Sequence, residues 1–187
     1  MTIINKIIDG KMYAEKLLKE IHPLSKEFLH NFNRKPCLTV ILVGDNPASK
    51  IYVKNKILVA KKIDIETREI LLSSDITEDE LIKHISILNK DQNVDGILVQ
   101  LPLPKHISEK KIINLISPLK DVDGFHPKNF GKLFMGDPKF IPCTPLGCLY
   151  MLKHEIKDIK GKNAVVIGRS NIVAVSYTHL TLPTTVS

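Results

Sequence analysis

Apolar residues recur along this chain in two alternating rhythms. In "DGKMYAEKLLKEIHPLSKEFLHNF" they fall at helical spacing, with Leu17, Leu18, Ile21 and Leu24 forming a stripe, Asp9 placed as the cap and Pro23 placed to kink or divide the helix. "CLTVILVG" is wholly apolar and short, the signature of a strand covered on both faces. "ASKIYVKNKILVAKKI" predicts a helix and "IETREILLS" a second strand. Thr77 and Glu80 in "TEDE" form a capping box that opens a helix through Leu88. "VDGILVQ" is a third buried strand, stopped by "LPLP", and "SEKKIINLI" is a short helix capped by Ser108. A loop follows from about Ser117 to Thr144. Beyond it, Thr144 caps a helix with Pro145 at its first position, and "NAVVIG" predicts a last strand.

Strands alternating with helices imply parallel βαβ units and an α/β fold. The expectation is a three-layer, parallel-sheet domain over residues 1–140, then the start of a Rossmann-like nucleotide domain over 141–173. Residues 174–187, "AVSYTHLTLPTTVS", offer neither a helix to cover the last strand nor a strand to pair with it. They read as a non-native tail on a truncated frame, to be set aside in fold reasoning.

Composition narrows the class. With 43% hydrophobic and 25% charged residues the 187-residue chain reads as globular, and no apolar run is long enough for a membrane span. No signal peptide is evident in "MTIINKIIDG", so a cytoplasmic location is the default. The net charge is +7, but the lysines are dispersed, without an arginine-rich block or interleaved aromatics. That favours a solvated basic surface, compatible with small anionic substrates, over a nucleic-acid patch. Three cysteines, Cys37, Cys143 and Cys148, are odd in number and unpaired in spacing, against a disulfide framework or a zinc site.

Four stretches could carry chemistry. In "GDNPASKIYVKNK" the loop leaves a buried strand at Gly44, the sheet edge where open α/β folds place ligands. Tyr52 and Lys56 then lie one turn apart on the same helix face, while Lys50, Lys54, Lys61 and Lys62 read as ordinary surface lysines. A lysine beside an apolar sheet edge can serve in proton transfer. In "GILVQLPLP", Gln100 ends a buried strand and can reach into a cleft or bond its own loop. In "KDVDGFHP", Asp121, Asp123 and His126 supply too few oxygens for a hard cation and too few nitrogens or sulfurs for zinc, so no metal is expected. An Asp there could instead accept from the N–H groups of a heterocycle. In "VVIGRSNIV" only Gly168 fits the dinucleotide fingerprint, yet Arg169 and Ser170 could bind a phosphate.

Taken in order, "VGDNPASKIYVKNK", "DGILVQLPLPKHI", "KDVDGFHPKNFGKL", "PCTPLG" and "VVIGRSNIV" resemble the bifunctional methylenetetrahydrofolate dehydrogenase/methenyltetrahydrofolate cyclohydrolase family over residues 1–173. The resemblance implies NADP-dependent oxidation (NAD being possible) of 5,10-methylenetetrahydrofolate to the methenyl cation, then hydrolysis to 10-formyltetrahydrofolate. That chemistry belongs to one-carbon metabolism and serves purine, histidine and methionine biosynthesis. By the same resemblance, Lys56 is central to proton transfer, Gln100 sets its state, Tyr52 packs on the folate and Asp123 binds the pterin edge. Val99 and Leu101 flank the folate, Ser49 has a supporting role, and Gly168, Arg169 and Ser170 match the cofactor's phosphate loop. A homodimer is implied, and neither nucleic acid nor membrane is. Where the family pattern continues past Val173, this chain has Ala174, Val175 and Ser176. The expectation is a fragment without dehydrogenase activity. The competing readings are a non-catalytic folate- or nucleotide-binding domain and a basic nucleic-acid-binding protein.

Overall fold

The computed structural model describes residues 7–156, 158–159, 161–163 and 165–167. Helix α1 spans Gly10–Phe32, its first N–H groups satisfied by the Asp9 side chain, which accepts from the amides of Lys11 and Met12. It ends at Asn33, in the left-handed conformation, and runs through Pro23 without dividing. The expected apolar stripe needs one correction. Leu17, Leu18 and Ile21 are half-buried but Leu24 is 60% exposed, because Tyr13 and Ser25 set the inward face. Ser25 Oγ donates to the carbonyl of Ile63, turning the neighbouring Leu24 to solvent.

Three strands, β1 (Cys37–Val43), β2 (Glu66–Leu72) and β3 (Gly96–Val99), form a parallel sheet in the order β2-β1-β3. Between them run α2 (Pro47–Lys62) and α3 (Glu78–Lys90), and α4 (Glu109–Leu115) follows β3. The Thr77–Glu80 capping box opens α3 and Ser108 caps α4, both as the sequence predicts. Alternate side chains of the central strand enter opposite cores. Ile41 and Val43 join Ile97 and Val99 against Leu81, Ile85 and Leu88 of α3 and Ile112 of α4. Val40, Leu42 and Leu98 meet Val53 and Ile57 of α2 on the other side. The sheet is thus the middle of three layers, and double coverage is why β1 reads as an unbroken apolar run.

The stretch expected to be loop from Ser117 to Thr144 contains a further helix, α5 (Pro127–Phe134), capped by the His126 side chain. A histidine cap and eight residues around Gly131 give little periodic signal. Before it, Asp121 makes an isolated parallel bridge to Ile97, extending the sheet beside β3. Helix α6 spans Cys143–Glu155 and begins earlier than expected. Pro142 occupies the cap, its carbonyl accepting from the Leu146 amide, so Thr144 lies inside the first turn and caps nothing. Helix α6 packs on α1: Tyr13 donates its hydroxyl to Glu155 at 2.7 Å, Tyr150 donates to Glu20 at 3.1 Å, and the two tyrosine rings meet edge-on. Of the expected final strand, Val165, Val166 and Ile167 carry no strand pairing among the described residues, and Ala164 and Gly168 lie outside them.

Candidate active site

The strand ends converge where the chain leaves the sheet. Gly44, at φ +78°, turns the chain out of β1 and its amide donates to Leu72 O at 2.9 Å. The Asn46 side chain then accepts from the Ser49 amide and Pro47 opens α2, which fixes the helix start close to the sheet edge. One turn apart on α2, Tyr52 and Lys56 line a cavity of about 880 Å³. Its other walls include Val99, Gln100 and Leu101 from the end of β3, and Asp123 and Phe125 from the loop before α5. Cys143 and Thr144, at the start of α6, complete it. Ser49 is buried beneath the start of α2, outside that lining.

Lys56 Nζ donates to Gln100 Oε1 at 3.2 Å. Gln100 Nε2 donates to the Leu101 carbonyl at 2.6 Å, and its backbone amide donates to Ile41 O at 2.9 Å. The side-chain amide is therefore turned with its oxygen toward the lysine. Tyr52 lines the cavity and is 62% exposed, so its ring can cover a flat ligand. Asp123 is held above the ordinary carboxylate range, chiefly by burial and further by Asp121, with Lys56 pulling the other way. The Cys143 thiol is also pushed up by its desolvated position in the cavity and by the charge of Asp123. An ammonium, a neutral amide and a hard-to-ionise carboxyl share one apolar recess. Such a set can hold a heterocycle by its polar edge and move a proton at its other side.

The six folate-site residues expected from the sequence (Tyr52, Lys56, Val99, Gln100, Leu101 and Asp123) all line this cavity. Gly168, Arg169 and Ser170 lie outside the described residues. Sequence reasoning passed over Asn55, which follows Tyr52 by three and so shares its face, and left Cys143 without a role. It also missed the use of Asp121. That carboxylate accepts from the amides of Phe125 and His126 and from Asn129 Nδ2, so it is consumed in holding the loop. His126 Nδ1 accepts from the Lys128 amide. Among the described residues no group of three or more His, Cys, Asp or Glu could hold a metal, and no helix is long and apolar enough to cross a membrane.

Comparison with known proteins adds the lineage of this geometry. The family model described as the tetrahydrofolate dehydrogenase/cyclohydrolase catalytic domain matches residues 8–123. The model for the NAD(P)-binding domain of the same family matches residues 142–186, a span that continues past Val173. The bifunctional protein FolD of Wolbachia pipientis subsp. Culex pipiens is 52% identical over 181 residues, covering 94% of this chain and 60% of the relative. That of Halothermothrix orenii is 51% identical over 181 residues, covering 96% of this chain and 64% of the relative. Among solved structures, the FolD methylenetetrahydrofolate dehydrogenase/cyclohydrolase of Campylobacter jejuni superposes with a TM-score of 0.90 at 45% identity, covering 94% of this chain and 62% of its own. The Trypanosoma brucei enzyme, solved with NADP cofactor and an inhibitor, gives 0.89 at 30% identity, covering 94% and 60%. The chain spans about three fifths of the length of these relatives.

Proposed function

The chain belongs to the tetrahydrofolate dehydrogenase/cyclohydrolase family, and from that premise we propose that it acts on tetrahydrofolate derivatives in one-carbon metabolism. The reactions are oxidation of 5,10-methylenetetrahydrofolate to the 5,10-methenyl cation and hydrolysis of that cation to 10-formyltetrahydrofolate. The observation that carries this reading is the Lys56–Gln100 hydrogen bond, set within electrostatic reach of Asp123 in one apolar cavity.

The cation dictates what the residues do. Its positive charge makes the one-carbon bridge electrophilic, so water attacks there. As the uncharged amine, Lys56 accepts the proton that water releases and returns it to the ring nitrogen as the C–N bond breaks, the hydroxyl proton leaving to solvent as the formyl C=O forms, with Gln100 fixing where Nζ sits. Asp123 accepts from the N–H groups at the pterin edge, Tyr52 covers the ring face, and Val99 and Leu101 flank it. NADP, with NAD as the alternative, supplies the hydride acceptor when bound. The guanidinium of Arg169 and hydroxyl of Ser170 suit a phosphate, with Gly168 admitting close approach. Residues 1–140 are read as the folate domain and 141–173 as the opening of the cofactor domain. A cytoplasmic homodimer belongs to the same reading.

The test is to add 5,10-methenyltetrahydrofolate to the purified chain and follow loss of its absorbance beside Lys56→Met. Hydrolysis that depends on Lys56 supports the proposal. Folate binding without Lys56-dependent hydrolysis would favour the non-catalytic binding domain, and absence of binding would sink the folate reading.

A further inference from the structure

We propose that Asp121, together with Asn129, is a positioning pair for Asp123, holding the apex of its loop in place for the ligand. The ligand itself rests on the folate reading above. Asp121 and Asn129 are each 2% exposed. A carboxylate so buried is costly unless its oxygens are met, and here N–H groups meet them. Oδ1 accepts from the Phe125 amide at 3.3 Å. Oδ2 accepts from the His126 amide at 2.9 Å and from Asn129 Nδ2 at 2.8 Å. Asn129 Nδ2 also donates to Pro118 O at 2.9 Å. One side chain thus gathers residues four, five and eight positions ahead, a reach beyond the self-bonding of an ordinary Asx turn.

The backbone of the same residue is pinned as well. Asp121 bridges to Ile97 in the sheet, and the Ile97 amide donates to Lys120 O at 2.7 Å. Asp123 sits between two fixed points: the strand-like backbone at Asp121, and the start of α5 that the Asp121 carboxylate holds. Val122, between them, rests on Gly96, where an added Cβ would lie 2.5 Å from Val122 Cγ1. Gly124, after them, packs against Ile141 and Pro142. The groups facing Asp123 are Lys56 from α2, Cys143 from α6 and Asp121 from its own loop. Burial and Asp121 both raise the Asp123 carboxyl, and Lys56 lowers it. Asp123 is thereby held half-buried at the cavity wall.

The experiment compares the whole chain with Asp121→Asn and Asn129→Ala. Three quantities are read: affinity for 5-formyltetrahydrofolate, titration of the Asp123 carboxyl carbon by 13C NMR, and the unfolding midpoint. Positioning predicts that both variants lose about tenfold or more in affinity, as small displacements of a binding group do. It also predicts that Asp123 titrates at lower pH in folded Asn129→Ala, which keeps the Asp121 charge and so reports displacement alone. A lower midpoint with affinity and titration unchanged would overturn the proposal and leave the pair a plain brace of the fold. Should Asp121→Asn fail to fold, Asn129→Ala keeps the carboxylate and carries the test. An Asn129→Ala chain that also fails to fold would likewise assign the pair to fold stability. If the unaltered chain does not bind the folate, the folate reading fails, while the Asp123 titration still decides the positioning.

Discussion

Lys56 reaches Gln100 across 3.2 Å, and Gln100 is itself held at both its side chain and its amide. The lysine on α2 therefore has a partner whose position the sheet determines. Replacing Lys56 by Met keeps the length of the stem and removes the proton-carrying group. We expect methenyl hydrolysis to fall by about 10² to 10⁴, with the unfolding midpoint little changed, as read by absorbance decay and thermal denaturation.

Gly124 has φ +69°, and a Cβ added there would stand 3.1 Å from the Pro142 nitrogen. Gly124→Ala meets both a left-handed backbone and a crowded neighbour that is part of the main chain. A loss of about 1–3 kcal/mol in urea unfolding is expected, with folate affinity falling as Asp123 is displaced. A variant as stable and as tight-binding as the parent would contradict this account of the loop.

Gly96 poses the same problem without a backbone constraint. An alanine there would press into Val122 at 2.5 Å. Overpacking should cost about 1–3 kcal/mol. Gly96→Ala combined with Val122→Ala should recover most of it, and double-mutant unfolding measures the recovery.

Asp64 joins two other segments. Lys35 donates to it at 2.8 Å and His22 contacts its other oxygen at 2.8 Å; together, Lys35 first, they lower its carboxyl from 3.8 to about 2. A lowered carboxyl adds stability that is full above its unfolded value and fades as pH falls through its folded value. The contribution should be present above about pH 4 and gone below about pH 2. Asp64→Asn tolerates the left-handed backbone at this position, φ +58°. Urea unfolding of the two proteins should differ at pH 6 and converge near pH 2, the gap shrinking in high salt because the pair is exposed.

What the sequence revealed depended on how local each cause was. The capping box, the Ser108 cap and the unbroken apolar β1 act through neighbours in the chain, and each was legible. Tyr52 and Lys56 were legible because helical spacing alone puts them on one face. Helix α5 was not, since its stability comes from distant anchors: Asn129 bonded to Pro118 and Asp121, and Leu133 buried. Nor was the inward turn of Ser25 in place of Leu24, which answers to the Ile63 carbonyl across the fold. By residue type and spacing Asp121 and Asp123 looked equivalent; the family resemblance singled out Asp123, and the three-dimensional partners show what Asp121 holds instead.

The Gln100 amide bonded to Ile41 O gives the cleft an asymmetry of motion. On one side, Gln100 moves only if the sheet opens, so amide exchange at Gln100 should track global unfolding. On the other, Asp123 hangs on a loop tied by the hydrogen bonds of the Asp121 carboxylate and by an isolated backbone bridge to Ile97. The cleft is a vice with one jaw cast into the frame and one jaw bolted on.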